Sequence, residues 1–164
     1  MPPYSRWIRI LRAAARFSFP SFFNPIFPFL SQRHKGTEMD ENGIGSTIVD
    51  SAIYLHKTLG PGLLETVYEV ALARQLEKAG LQVRRQVVVP IEFEGETFEE
   101  GFRADLIVEN KVIVELKSVE KAHPAHKKQL LTYLRLTNKK LGYLLNFGEA
   151  LMKNGITRTI NGYL

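Results

Sequence analysis

With 164 residues, the chain is long enough for one domain with a substantial core. It has no cysteine, which excludes a disulfide framework and a thiolate metal site and suits a reducing compartment, so a cytoplasmic protein is expected. The net charge of +5 belongs to residues 1–38, where Arg6, Arg9, Arg12, Arg16, Arg33 and Lys35 face Glu38 alone; residues 39–164 hold 16 of the 22 basic and 16 of the 17 acidic residues and are neutral.

Residues 1–38 also contain five of the eight prolines and six of the ten phenylalanines. The run Phe17–Leu30 is too short and too broken by proline for a transmembrane helix. A basic start before an apolar run hints at a signal peptide, yet no clean small-x-small cleavage site follows; an Arg-rich, acid-poor start also faintly resembles an organelle presequence. The reading adopted is a disordered or spurious extension, with the domain at residues 39–164. A chain beginning at Met39 should therefore keep its melting temperature and helix content, and a large loss in a thermal melt would show that the extension packs on the core.

From Asn42 to Lys57, Ile44, Ile48, Ala52 and Leu55 recur at helical spacing, and Gly60–Pro61–Gly62 breaks the helix. A second helix is expected from about Leu63 to Gly80, with Gly62 as N-cap and Glu65 at its third position. The period then shortens. Leu81–Phe93 reads as a strand with Pro90 at a bend or edge, Glu94–Glu96 as a turn, and Phe98–Val108 as the return strand. Val112–Ser118 completes a meander. A helix over Pro124–Thr137, a buried strand Leu141–Phe147 and an edge strand Ile156–Ile160 follow. The order predicts an α/β fold, a mixed sheet flanked by helices.

The hairpin Arg103–Ser118 carries the chemistry. Asp105, Glu115 and Lys117 interrupt strands otherwise built for burial. Glu115 and Lys117 share a face, because strand side chains alternate. A three-residue loop Glu109–Asn110–Lys111 opposes Val108 to Val112 and Asp105 to Glu115; a two-residue loop sends Asp105 to the wrong face. In the first register the two carboxylates converge.

Two carboxylates on a sheet suit a hard divalent cation, Mg²⁺ or Mn²⁺, which keeps several of its waters. Asp105 and Glu115 are the candidate ligands, with the carbonyl of Leu116 completing the protein donors. Lys117 is placed to hold an attacking water or to stabilise charge on a phosphorane. An isolated E-x-K is most often a surface ion pair. The apolar neighbours and the acid on the partner strand argue against that here.

These residues carry a resemblance. Asp105 followed by Glu115–Leu116–Lys117 resembles the signature of the PD-(D/E)XK nuclease superfamily, with Ala104 where its proline stands. Gly62–Tyr68, "GLLETVY", matches the motif that names the GxxExxY proteins within that superfamily, and "HKTLGPGLLETVYE", "GFRADLIVE", "VIVELKSVE", "HKKQLLTYLRL" and "LLNFG" follow in the same order. The resemblance covers about Asp40 to Asn161. It implies a restriction-endonuclease-like αβββαβ core and a divalent-metal-dependent nuclease that hydrolyses nucleic acid, DNA being the expected substrate. It also gives Glu65 a role as metal or water ligand. Gln129 and Tyr133, four apart and preceded by His126, resemble the Q-x-x-x-Y element of RecB-like nucleases, which implies substrate contact. For His126, an ordinary exposed histidine competes with a phosphate contact.

Charge layout supplies a direction. Residues 92–100 carry five glutamates and no base, whereas Lys117, Lys121, Lys127, Lys128, Arg135, Lys139 and Lys140 face Glu120 alone over 117–140. A phosphate backbone favours the second region. Overall neutrality implies modest general affinity and leaves room for a protein partner. No membrane partner is expected of the core domain. The rival reading is a nuclease-fold module that binds or assembles on nucleic acid without cutting it.

Overall fold

The computed structural model describes residues Met39–Leu164, the side chains at 93, 99 and 100 excepted; the expectation for residues 1–38 lies outside the described residues. The elements run α1 (Glu41–Leu59), α2 (Glu65–Lys78), β1 (Val83–Phe93), β2 (Glu96–Val108), β3 (Val112–Lys117), α3 (Pro124–Leu136), β4 (Leu141–Asn146), a single turn α4 (Met152–Gly155) and β5 (Ile156–Ile160). The strands form one five-stranded sheet in sequence order. Only β3 and β4 are parallel; the remaining neighbours are antiparallel. The crossover containing α3 makes that parallel pair possible. Among the described residues no helix is long and apolar enough to cross a membrane.

Strand alternation divides the core in two. Leu106, Val108, Val112, Val114, Leu116, Leu141 and Leu145 pack with Ile44, Ile48, Leu72 and Leu76 of α1 and α2. Ile107, Ile113 and Leu144 point the other way and pack with Leu130 and Leu134 of α3. The sheet is thus covered by helices on both faces, which is why β3 and β4 are almost wholly buried. Burying each large side chain contributes roughly 1.5–3 kcal/mol before ordering costs.

Helix boundaries follow local chemistry. The Asp40 side chain accepts from the N–H of Gly43 at 2.8 Å and caps α1. At α2 the N-cap is Leu64 rather than the expected Gly62, so Glu65 is the first helical residue and not the third. The delay has a tertiary cause. The N–H of Leu63 donates to the Tyr68 hydroxyl, and its carbonyl accepts from Ser118 Oγ at 2.6 Å, which keeps the backbone extended through Leu64. Tyr68 is fully buried, stacks on Phe147, and donates its own hydroxyl proton to the Gly60 carbonyl. His123 caps α3, its Nδ1 accepting from the N–H of Ala125.

Candidate metal and nucleic-acid site

The hairpin register decides where the acids stand. Leu106 pairs with Val114, Ile107 with Ile113 and Val108 with Val112, which is the register of the three-residue loop. Glu109 and Asn110 both adopt positive φ, 50° and 54°, and Lys111 N–H closes the turn onto the Val108 carbonyl. One step beyond Leu106 and Val114 lie Asp105 and Glu115. The β2–β3 ladder stops short of them: β2 continues beside β1, while β3 continues to Lys117 beside β4. Asp105 sits at this fork, and its Oδ2 accepts from the backbone N–H of Leu116 at 2.8 Å. A side chain has taken over what a ladder bond would have satisfied.

Glu115 is 6 % exposed, and its Oε1 accepts from Lys117 Nζ at 2.9 Å. Burial pushes the Glu115 carboxyl above the usual carboxylate range, and the charge of Asp105 pushes it further, against the pull of Lys117. Asp105 is raised as well, by burial, although Leu116 N–H, Lys117 and Gln86 oppose the shift. Burial works against the Lys117 ammonium, but Glu115, Glu65 and Asp105 outweigh it and hold its pKa above the ordinary value. These groups feel one another's charge, so they form a single electrostatic unit.

Glu65 approaches from the start of α2. Its Oε1 accepts from the N–H of Ser118 at 3.1 Å, so the helix start is tied to the residue after Lys117. Between them opens a cleft of about 500 Å³ lined by Gly62, Leu63, Leu64, Glu65, Thr66 and Ser118. From α3, Gln129 Nε2 donates to the Tyr133 hydroxyl. Tyr133 is buried against Phe102, with the rings parallel and 3.6 Å between centroids. Its hydroxyl is raised in pKa by burial and then by Glu115, which puts it within electrostatic reach of the acids. His126 lies one turn earlier, with Nδ1 buried and without a hydrogen-bond partner. His56, given no role from the sequence, is buried and bonds through Nε2 to the Glu149 carbonyl at 2.7 Å.

The donor set can be tested for fit to a divalent ion. Glu115 Oε2 is buried without a hydrogen-bond partner, and such an oxygen calls for a cation or a proton donor. Among the described residues, no three His, Asp or Glu side chains already form a ligand cage. Two carboxylates and a main-chain carbonyl match a hydrated ion of the Mg²⁺ kind, which needs no protein cage. The residues fit.

A family model for the PD-(D/E)XK nuclease superfamily matches residues 42–159. The chain belongs to the PD-(D/E)XK nuclease superfamily. No curated protein matches it. The match spans the described fold from the first turn of α1 into the last strand, β5, so the hairpin, both flanking helix layers and the Asp105–Glu115–Lys117 unit all lie inside the PD-(D/E)XK match.

Two further residues join this unit without having been singled out from the sequence. Glu69, one turn after Glu65, is 4 % exposed and accepts from Arg85 Nε at 2.8 Å and from Gln86 Nε2 at 2.7 Å. Gln86 Nε2 also reaches Asp105 Oδ1 at 3.3 Å. The i, i+4 spacing of Glu65 and Glu69 was the available signal, since it sets two acids on one helix face.

Proposed function

We propose that the protein is a Mg²⁺- or Mn²⁺-dependent nuclease that hydrolyses phosphodiester bonds, with DNA as substrate, and that it is one of the GxxExxY group. The observation that carries this reading is the conjunction of a PD-(D/E)XK family match with a buried Glu115 whose second oxygen has no partner, beside Asp105 and Lys117. Asp105, Glu115 and the Leu116 carbonyl would hold the ion, and Glu65 would hold it or a water bound to it. When bound, the ion would acidify a water and neutralise charge on a phosphoryl oxygen.

The chain's own groups do the remainder. The Lys117 ammonium leaves Glu115 Oε1 and turns to the attacking water or the developing phosphorane charge. Leu116 N–H keeps Asp105 Oδ2 fixed, while Oδ1 takes only a long bond from Gln86 at 3.3 Å and retains a lone pair with which to ligate. His126, Gln129 and Tyr133 line the α3 side and bind the substrate strand, while Lys127 and Lys128, both exposed on that helix, draw its phosphates. The exposed Glu92, Glu94 and Glu96 at the far end of the β1–β2 ribbon repel them.

Calorimetric titration with Mn²⁺ tests the ion. The parent should bind it, and Asp105→Asn should weaken binding at least tenfold, because one charged ligand is lost. A parent that binds nucleic acid but no divalent ion favours the non-cutting module instead.

A further inference from the structure

Besides the register shift between Val89 and Ile91, the β1–β2 ladder is interrupted at a second point, closer to the site. Arg85 pairs with Leu106 and Val87 with Ala104, but Gln86 and Asp105, between them, do not pair. Gln86 has φ of 50°, in the left-handed region that a long side chain rarely occupies within a strand. Simple alternation would put Leu106 and Ala104 on the same face. Instead Leu106 packs with α1 and α2, while Ala104 and Phe102 pack with α3. The ribbon therefore rolls over at the Gln86–Asp105 step. Such a residue costs on the order of 1 kcal/mol and persists where the surroundings enforce it.

What the roll achieves is visible in the hydrogen bonds. The Gln86 amide nitrogen lies 2.7 Å from Glu69 Oε2 and 3.3 Å from Asp105 Oδ1. An amide carries two N–H groups and can serve both acids. Its orientation is unambiguous, because two carboxylates can only accept. Glu69 is itself immobilised, buried in α2 with Arg85 on its other oxygen. Asp105 is thus gripped at both oxygens, by Leu116 N–H on one side and by Gln86 on the other.

We infer that Gln86, anchored by Glu69, is a positioning residue that aims the carboxylate of Asp105 so that it can share a divalent ion with Glu115. The inference rests on the metal-dependent reading above and deepens it. Hydrogen-bond partners of metal ligands typically change ion affinity by about 10–100-fold when removed.

Two variants separate this role from a backbone role. Gln86→Gly accepts positive φ without strain but removes the amide. It should melt near the parent, yet bind Mn²⁺ about 10–100-fold more weakly by calorimetry. Gln86→Met keeps the side-chain volume without a donor, and it should show the same loss should the glycine variant melt early. Parent-like ion affinity in a folded variant overturns the inference and leaves the nuclease reading standing. Unfolding of both variants overturns it too, since the amide would then be holding the fold. A parent that binds no Mn²⁺ removes this inference and the metal-dependent reading together. A parent that binds Mn²⁺ in a Gln86-dependent way but cuts no DNA supports the inference while overturning the proposed cleavage.

Discussion

Lys117→Ala is expected to bind Mn²⁺ about as tightly as the parent while cleaving DNA some 100- to 1,000-fold more slowly, a loss typical of removing one donor to a charged transition state. An ammonium is no ligand. In the structure it occupies Glu115 Oε1, so its removal frees a carboxylate oxygen beside the candidate ion position. Glu115→Ala should behave differently and lose ion binding and cleavage together, because it removes the buried carboxylate that both require. If Glu115 and Lys117 were only a surface ion pair, both variants would be nearly silent, within about 1 kcal/mol of stability. Parallel calorimetry and cleavage on the two variants distinguish these patterns, since only the nuclease mechanism separates binding from rate.

The second large effect concerns the brace behind the site. Asn146, at the end of β4, is 1 % exposed; its Oδ1 accepts from the N–H groups of Val119 and Gly148, and its Nδ2 donates to the Val119 carbonyl at 2.8 Å. Phe147 N–H meanwhile donates to the Lys117 carbonyl at 2.7 Å. Together these bonds fix the path of residues 117–119. Asn146→Ala would strand three backbone groups at a part-buried position and should cost about 2–4 kcal/mol. For a domain of this size that is a fall in melting temperature on the order of 10 °C. Gly148→Ala should also be severe, because its Cβ would lie 2.2 Å from the Val119 carbonyl oxygen, a backbone atom that cannot step aside. Thermal melts of the two variants check the brace. A melting temperature unchanged in both would show that residues 117–119 are held by something else.

The part of the site legible in the sequence was the part governed by strand arithmetic. Counting residues through Glu109–Asn110–Lys111 narrowed the β2–β3 hairpin to two registers, and the structure adopts that of the three-residue loop. The mixed sheet was legible for the same reason: periodicity shortens after Gly80, and the α3 stripe separates β3 from β4. The start of α2 was misread because Leu63 is tied to the Tyr68 hydroxyl and to Ser118, the second of which lies 55 residues away in sequence. Gln86 was invisible for a deeper reason. Nothing in a β-like run such as Val83–Phe93 marks a glutamine that will adopt positive φ, and its two acid partners lie 17 and 19 residues away. For Glu69 the spacing to Glu65 puts two acids on one helix face, but nothing local in the sequence marks the burial beside Arg85 and Gln86 that ties it to the site.

A cleavage assay on labelled single- and double-stranded DNA, with parent and Glu115→Ala purified identically and run with Mg²⁺ or with chelator, tests the central claim most directly. The account predicts cleavage by the parent only when the ion is present, and none by Glu115→Ala. Equal cleavage by the two proteins, or a parent that cuts neither substrate with Mg²⁺ or Mn²⁺, would contradict it.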